Sequence, residues 1–242
     1  NLMRKMSRMR VLEEKKHIGT LFDGIAQTYD TLNHVLSLNI DKSWRRKAVR
    51  KLSPVSNLLD VAVGTADLSI EIIRQKKAEH IQGIDLSREM MRIGEEKVNK
   101  AGFSEYIHFD YGSALDMPYA DNTFDALTCA YGLRNFSDTD KGLAEFFRVM
   151  QPGAQLVILE FSYPENRIIR FFYDLFFTHI LPFIGRIVSH DKSAYTYLNR
   201  SVKEFMWGEE MVRHLKDAGF QDIHFQTLTF GITTIYTATK NK

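Results

Sequence analysis

The sequence predicts an α/β fold built on a mostly parallel sheet with helices on both faces. The first observation is an apolar run at 58–63 that turns over a loop of small residues and enters a helical pattern at Leu68. The second is another apolar run that ends in an acid, Asp85. The third is the continued alternation of strand-like and helix-like runs. Such alternation is typical of parallel sheets with right-handed crossovers.

The individual elements follow from apolar periodicity and from residues that start or stop them. A helix that begins after Ser87 and ends near Gly102 has a favourable residue at each end. A helix at 138–150 is expected to be stopped by Pro152 and Gly153. Further helices are predicted within 1–52, after the first strand to about 77, and at about 209–218. The predicted strands lie at about 58–63, 80–85, 106–109, 124–130, 155–161, 222–229 and 232–239.

Two segments fall outside this alternation in what we expect to be a single domain over 1–242. Residues 1–52 are interpreted as an N-terminal helical cap. Residues 161–207 hold 12 of the 29 aromatic residues and are interpreted as a helical insertion that covers the substrate cleft. The longest uncharged run there, 175–185, is too short for the ~20 residues of a spanning helix. A buried helical hairpin and an apolar lid that touches a bilayer both remain open.

Charge and cysteine content restrict the classes of function. Residues 1–52 contain 12 Lys/Arg and 5 Asp/Glu, although the whole chain carries a net charge of only +2. This basic segment could face an anionic membrane, a nucleic acid or only solvent. The single cysteine, Cys129, lies in an apolar run, which indicates a buried residue in a reducing compartment. With neither a signal-peptide pattern nor a metal-ligand cluster, we expect a cytoplasmic protein without a metal.

The loop after the first strand indicates which nucleoside it binds. Dinucleotide sites use G-x-G-x-x-G so that the backbone can approach a pyrophosphate. Here the loop has one glycine, Gly64, and a carboxylate, Asp67, near the position of such an anion. Asp67 suits a ligand with an amine and a sulfonium, which points to S-adenosylmethionine, with Asp85 on the ribose hydroxyls. Alternatively, Asp67 is only a helix-start acid and Asp85 an ordinary strand-end acid.

Several longer segments resemble the ubiquinone/menaquinone biosynthesis C-methyltransferase family. The most specific are Tyr-Asp-Thr-Leu-Asn at 29–33 and Gly-Leu-Arg-Asn at 132–135. The others are the loop at 60–67, Phe-Asp at 124–125, the segment at 148–153 leading to Glu-Phe-Ser at 160–162, the segment at 193–198, and Ala-Gly-Phe at 218–220. The chain departs from the family pattern at Asp41, Ala66 and Ser113.

The resemblance implies a class I, Rossmann-like methyltransferase fold with a seven-stranded sheet whose last strand is antiparallel. It also implies S-adenosylmethionine as the cofactor, lying across the C-terminal ends of the strands. The cofactor-binding residues carried over onto this sequence are Asp60, Gly64, Thr65, Asp85, Ser113 and Ala114. The corresponding substrate-binding residues are Tyr29, Asn33, Tyr195 and Tyr197.

The implied reaction is C-methylation of demethylmenaquinol to menaquinol in menaquinone biosynthesis. A ring carbon has no lone pair, and the ring of a quinone is electron-poor, so we expect the substrate to be the reduced quinol. Loss of a phenolic proton then makes the neighbouring ring carbon nucleophilic. We expect Asp67, Arg134 and Asn135 to form the catalytic cluster. Arg134 could instead pair with a structural carboxylate. The histidines at 34, 179 and 190 are weaker candidates for the base.

Other functions remain as alternatives. Within the class, the substrate could be the polyprenyl methoxy-benzoquinol of ubiquinone biosynthesis. A nicotinamide-dependent oxidoreductase is disfavoured by the missing glycines, and a nucleic-acid-binding module would predict salt-sensitive binding. The expected partners are a polyprenylated quinol and, peripherally, the membrane surface, without nucleic acid. A homo-oligomer is left open.

Overall fold

The computed structural model describes residues 18–37, 39–180 and 193–241. For residues 18, 28–29, 31–36, 179–180, 193–196 and 198 the description extends to the backbone only. The helices are α1 (Ile18–Leu36), α2 (Ile40–Val49), α3 (Asp67–Arg74), α4 (Arg88–Ala101), α5 (Thr139–Val149), α6 (Arg167–Leu175), α7 (Ser193–Glu204) and α8 (Glu209–Asp217). The strands are β1 (Val55–Val61), β2 (Ala78–Asp85), β3 (Ile107–Tyr111), β4 (Phe124–Ala130), β5 (Met150–Phe161), β6 (Gln221–Leu228) and β7 (Thr233–Thr239).

The seven strands form one sheet in the order β3-β2-β1-β4-β5-β7-β6. All neighbours are parallel except the pairs that β7 forms with β5 and with β6, so β7 alone runs against the others. The predicted mostly parallel, seven-stranded sheet is confirmed. The strand order reverses direction between β1 and β4, and in open α/β sheets ligands bind outside the carboxyl ends of the strands at such a point.

Helices cover both faces of the sheet, as predicted. In β1, Leu58 packs into one apolar core and its neighbour Leu59 into the other, because successive side chains of a strand point to opposite faces. The core around Leu59 includes side chains of α5 and α8, and the core around Leu58 includes side chains of α2, α3 and α4. Cys129, in the central strand β4, is completely buried, and burial raises the pKa of its thiol.

Element boundaries depart from prediction where strands begin and end. β5 starts at Met150, directly after α5, so Pro152 and Gly153 lie inside the strand and do not form the expected stop. A register shift between Phe124 and Ala126 accommodates them, and Gly153 has a φ of 85°. β1 ends at Val61, two residues early, because Ala62 turns into the left-handed region with a φ of 56°.

The two segments outside the alternation contain helices. In the N-terminal segment, α1 packs against α4, and α2 packs against α3 and β5. In the aromatic segment, α6 continues into a π-helical turn (Phe176–Ile180), and α7 packs against the turn at Leu133–Asn135. No helix in the described ranges is long and apolar enough to cross a membrane. Parts of both segments, at 1–17, 38 and 181–192, lie outside the described residues.

Candidate active site

A cavity of about 540 Å³ lies at the carboxyl ends of β1, β2, β3 and β4. Its wall includes Gly64 after β1, Asp85 at the end of β2, Ser113 and Ala114 after β3, and Gly132 after β4. This volume is within the range of small-molecule and cofactor sites. Five of the predicted site residues, the first four of these and Asn135, therefore line one cavity at the point where the strand order reverses.

The loop after β1 is tightly turned. Ala62, Gly64 and Ala66 all have positive φ angles, of 56°, 53° and 64°. Gly132 approaches this loop so closely that a Cβ atom there would collide with the Cβ of Ala62. Only glycine permits this approach, which gives a physical reason for the first residue of the Gly-Leu-Arg-Asn segment.

Asp85 presents its carboxylate to the cavity from a fixed position. One oxygen accepts a hydrogen bond from the backbone N–H of Gly64 at 2.8 Å, and the other accepts one from Ser87 at 2.9 Å. Burial raises the pKa of Asp85 above its usual value, and these backbone donors partly oppose that shift. Within the described ranges, no Lys, Arg or His forms an ion pair with Asp85. A carboxylate held in this way can accept hydrogen bonds from two ribose hydroxyls.

Helix α1, part of the predicted N-terminal cap, contributes residues to the cavity wall that the sequence analysis did not single out. Gly19, Thr20, Phe22 and Asp23 line the space opposite the sheet. Asp23 fixes the helix in place, because its Oδ1 accepts hydrogen bonds from the Ser87 hydroxyl at 2.6 Å and from the Glu89 N–H at 3.2 Å. Asp23 and Ser87 are 64 residues apart, and no sequence pattern links them.

The β3 side of the cavity presents small and aromatic groups. Ser113 and Ala114 lie where the resemblance places adenine contacts, and the Ser113 hydroxyl oxygen accepts a hydrogen bond from the Leu115 N–H at 3.1 Å. Tyr111 also lines the cavity, and the Arg88 guanidinium lies 3.8 Å from its ring centroid. This stacked pair, absent from the sequence-based site, provides a flat surface at the cavity mouth.

Asn135 and Tyr197, which are both predicted site residues, are in contact. The Tyr197 hydroxyl donates to Asn135 Oδ1 at 3.0 Å, and the Asn135 amide donates to the Tyr131 carbonyl at 3.3 Å. Asn135 lines the cavity, and burial raises the pKa of Tyr197 to about 12. Tyr197 therefore donates a hydrogen bond at neutral pH and fixes the orientation of the amide.

Arg134 has a different environment from its neighbour Asn135. Its Nη1 lies 2.9 Å from Glu160 Oε1, both side chains are almost fully buried, and its backbone N–H donates to Glu160 Oε2 at 3.1 Å. The structure thus contains the carboxylate pairing that we considered from the sequence as the alternative to catalysis. Stabilisation of a phenolate by Arg134 stays a prediction.

Asp67 does not lie beside Arg134 and Asn135. Its carboxylate contacts Lys97 and is 3.6 Å from an Arg45 nitrogen, and it lines a second cavity on the other side of the loop. The expected attraction for an amine and a sulfonium is therefore directed at protein cations. In this same cluster the Thr65 hydroxyl donates to Asp30 at 2.6 Å, and Arg45 also pairs with Asp41 at 2.5 Å.

Asp60 also lies away from the cavity wall. Its carboxylate accepts hydrogen bonds from the hydroxyls of Ser69 at 2.5 Å and Thr128 at 2.7 Å. Burial raises the pKa of Asp60 to about 6, and the hydrogen bonds from the two hydroxyls partly oppose that shift. Asp60 and Thr65 thus hydrogen-bond to protein groups and do not line the cavity, and their direct contact with the cofactor stays a prediction.

The other candidates lie partly or wholly outside the described residues. Tyr29 and Asn33 belong to α1 and Tyr195 to α7, but only their backbones are described. The same holds for the histidines at 34 and 179, and His190 lies outside the described ranges. From the 29–33 segment, Asp30 is placed: it accepts hydrogen bonds from Thr65 and from Lys97, the latter at 2.7 Å.

The sheet order, the reversed β7 and the cavity at the switch point define the fold of the class I S-adenosylmethionine-dependent methyltransferases. Among solved structures, a SAM-dependent methyltransferase from Thermotoga maritima has a TM-score of 0.66 at 18% identity, with coverage of 93% of this chain and 100% of that one. The [4+2]-cyclase SpnF has a TM-score of 0.67 at 17% identity, covering 94% and 97%. Because a cyclase shares the fold, the fold alone does not define the reaction.

The chain belongs to the ubiE/COQ5 methyltransferase family, whose model matches residues 9–240. It is 44% identical over 230 residues to a demethylmenaquinone methyltransferase of Bacteroides fragilis, with coverage of 94% of each chain. It is 41% identical to a protein of Geotalea daltonii named ubiquinone/menaquinone biosynthesis C-methyltransferase UbiE, covering 96% of this chain and 99% of that one. The resemblance seen in the sequence is confirmed.

Proposed function

We propose that this protein methylates a ring carbon of demethylmenaquinol and thereby forms menaquinol. The observation that carries this proposal is the 44% identity to a demethylmenaquinone methyltransferase over nearly the full length of both chains. The cavity supports it, because it combines the carboxylate of Asp85, suited to a ribose, with a polar group, Asn135, which follows β4. S-adenosylmethionine is the cofactor, and when bound it supplies the methyl group from its sulfonium.

The residues of this chain hold the cofactor and exclude water. Asp85 accepts the ribose hydroxyls, because its carboxylate is fixed by two backbone donors and faces the cavity. Ser113 and Ala114 lie against the adenine, beside the Tyr111–Arg88 stack. Phe22 and Asp23 close the opposite side, which limits the access of water to the reacting groups.

The quinol binds at the Asn135 end of the cavity. The amide, oriented by Tyr197, hydrogen-bonds a ring hydroxyl and so aligns the neighbouring carbon. Glu160 holds Arg134 behind this site, where its positive charge favours the ionised form of the quinol. The carboxylate of Asp67 interacts with Lys97 and Arg45, so we do not choose it as the direct proton acceptor. In the proposal, a water molecule bound at Asn135 accepts the phenolic proton.

A benzoquinol substrate is the second candidate. The relative from Geotalea daltonii carries a name that includes ubiquinone biosynthesis, at 41% identity. The two substrates share the ring hydroxyls and the polyprenyl tail, so Asn135 and the apolar surroundings would serve both. The cavity wall does not favour either the naphthoquinol or the benzoquinol, so analysis of the methylated product distinguishes the two substrates.

The direct test is incubation of the purified protein with methyl-labelled S-adenosylmethionine and each reduced quinol. We expect label to enter demethylmenaquinol at one carbon and to be absent when the quinone is left oxidised. Methylation of the benzoquinol alone would establish the second candidate. NADH oxidation without methyl transfer would support the alternative function of a nicotinamide-dependent oxidoreductase.

The apolar tail of the proposed substrate is the reason to expect that the enzyme works at a membrane. Each methylene costs about 0.8 kcal/mol to remove from the bilayer, so a polyprenylated quinol does not diffuse freely in water. We therefore propose a peripheral protein on the cytoplasmic side of the membrane, attracted by its basic residues within 1–52. In the same proposal, residues 1–52 form the cap and residues 161–207 form the insertion over the cleft. Two observations support this: Phe22 lines the cavity, and Tyr197 hydrogen-bonds to Asn135. The absence of nucleic-acid binding and a homo-oligomer stay predictions.

A further inference from the structure

The apolar face of helix α6 points toward solvent, whereas that of α5 points into the core. Its large apolar side chains, Ile168, Phe171, Phe172 and Leu175, are 69%, 64%, 61% and 42% exposed. They occupy positions i, i+3, i+4 and i+7 and so share an arc of about 100° on one face. In α5, by contrast, the apolar residues Leu143, Phe146 and Val149 are completely buried.

Three residues of α6 with polar groups, Arg170, Tyr173 and Asp174, contact the protein. Asp174 accepts a hydrogen bond from the Tyr163 hydroxyl at 2.6 Å and pairs with Lys203 at 2.7 Å. Arg170 donates to the Pro164 carbonyl at 2.9 Å, and Tyr173 is buried against Tyr163 and Phe177. These contacts set the rotation of the helix, so the exposure of its apolar face is a property of the packing.

An exposed cation and a further exposed aromatic side chain adjoin this face. Arg167, the first residue of α6, is exposed beside the apolar face. Phe230, 78% exposed, lies in the β6–β7 loop, which the Ser162 hydroxyl ties by a 2.8 Å hydrogen bond to the segment leading into α6. Aromatic and aliphatic groups with a flanking arginine are typical of helices that lie in the membrane interface.

We propose that the apolar face of α6 is the surface by which this protein docks on a bilayer that contains anionic lipid. The four apolar side chains enter the boundary between headgroups and acyl chains, and Arg167 contacts lipid phosphates. The inference rests on the proposed function in one respect: a tail anchored in the bilayer requires that docking occur close to the substrate site. The structure meets this requirement, because α7 packs against the turn that holds Asn135, and Lys203 of α7 pairs with Asp174 of α6 at 2.7 Å.

The experiment measures partition of the full chain to vesicles of phosphatidylcholine with and without phosphatidylglycerol. We compare the unchanged protein, the double variant Phe171→Ser/Phe172→Ser, and Tyr106→Ser. Tyr106 is a matched control, since it is 42% exposed and precedes β3 at the far edge of the sheet. We expect the double variant to lose about tenfold or more in partition and Tyr106→Ser to lose none.

Other results would overturn the proposal. Equal partition of the double variant and the unchanged protein would show that α6 is not the docking surface. A dimer in analytical ultracentrifugation that the double variant converts to monomers would assign the face to a second copy. A drop in the unfolding midpoint of the double variant would assign it to the protein's own core.

The proposed function is tested separately with a short-tailed, water-soluble demethylnaphthoquinol. If α6 serves docking, the double variant methylates this quinol at the normal rate but loses activity on the long-tailed quinol in vesicles. If the unchanged protein binds vesicles through α6 but methylates neither quinol, the proposed function fails and the docking surface stands. If it methylates the soluble quinol and both proteins bind vesicles equally, the docking surface fails and the function stands.

Discussion

Asp60 and Asp85 stand at the ends of adjacent strands, and burial raises the pKa of both, but their surroundings give them different roles. Asp85 is held by backbone N–H groups and faces the cavity. Asp60 is enclosed by two hydroxyl groups under the loop. The sequence identified both as cofactor residues, because a motif specifies position along the chain and not the direction of a side chain.

For Asp85 we expect the substitution Asp85→Ala to weaken the binding of S-adenosylmethionine. The ribose hydroxyls would lose their acceptor in a partly buried site, a loss of about 2–4 kcal/mol. Isothermal titration calorimetry measures the effect. Asp121→Ala is the control, since Asp121 is an exposed partner of Arg148 and does not line the cavity. Unchanged affinity in a folded Asp85→Ala protein would contradict the assignment.

For Asp60 we expect a pH-dependent effect on stability. Its folded pKa of about 6 lies above the value in an unfolded chain, so the native state binds the extra proton between about pH 4 and 6. Stability therefore falls as the pH rises through that window, by about 3 kcal/mol from this group. Asp60→Asn removes the contribution.

Urea unfolding at a series of pH values checks this expectation. The stability of Asp60→Asn relative to the unchanged protein should rise between pH 4 and 7 and stay level above that. A constant difference across the series would mean that Asp60 titrates normally. Loss of S-adenosylmethionine affinity in Asp60→Asn at pH 8 would instead restore its predicted role as a cofactor contact.

For Arg134 the structure changes the expectation that follows from a purely catalytic role. Arg134→Ala leaves Glu160 buried without its cation, which should cost about 3–5 kcal/mol of stability in addition to turnover. Thermal unfolding of Arg134→Met, Glu160→Gln and the double variant separates the pair from catalysis. We expect the double variant to be more stable than Arg134→Met, while turnover stays low. Normal stability of Arg134→Ala would contradict the structural role.

At the scale of elements, local signals were sufficient where neighbours along the chain determine the structure. Ser87 caps α4 through a hydrogen bond from the Met90 N–H, and Gly102 ends the helix in the left-handed conformation, both as predicted. The cavity-lining residues of α1 were not identified because Asp23 meets Ser87 only after folding. Asp67 was misplaced for the same reason, since Lys97 in α4 and Arg45 in α2 determine where its carboxylate points.

The role of α1 as a cavity wall predicts different results for two glycines of that helix. A Cβ at Gly19 would lie 2.9 Å from the Leu86 carbonyl oxygen, whereas a Cβ at Gly24 would meet nothing within 4 Å. Both Gly→Ala changes favour the helix by about 0.5–1 kcal/mol. We therefore expect Gly19→Ala to displace α1 and lower S-adenosylmethionine affinity by about tenfold, with Gly24→Ala unaffected.

Calorimetry on the two variants compares them directly. Far-UV circular dichroism should be the same for both, because the sheet does not depend on the contact between Gly19 and Leu86. Equal affinities would show that α1 does not wall the cofactor cavity.

For the whole molecule, ligand binding and stability should be linked. A ligand at about 100 times its dissociation constant adds about 2.7 kcal/mol, which is about 5–10 °C in Tm for a chain of this size. We expect S-adenosylmethionine to raise Tm by this amount and NADH at the same concentration to leave it unchanged. An equal increase with NADH would contradict the cofactor assignment, and the Asp85→Ala variant should show a smaller shift with S-adenosylmethionine.

Because Cys129 is buried, the reactivity of its thiol can be used to measure unfolding of the protein. The thiol lies at the centre of the sheet with no exposed surface, and the chain has no other cysteine. A thiol reagent can therefore reach it only when β4 separates from its neighbours, which requires nearly global opening. The labelling rate then follows the opening of the sheet directly, without any engineered probe, and a cofactor that bridges the ends of β1, β2 and β4 should slow that labelling.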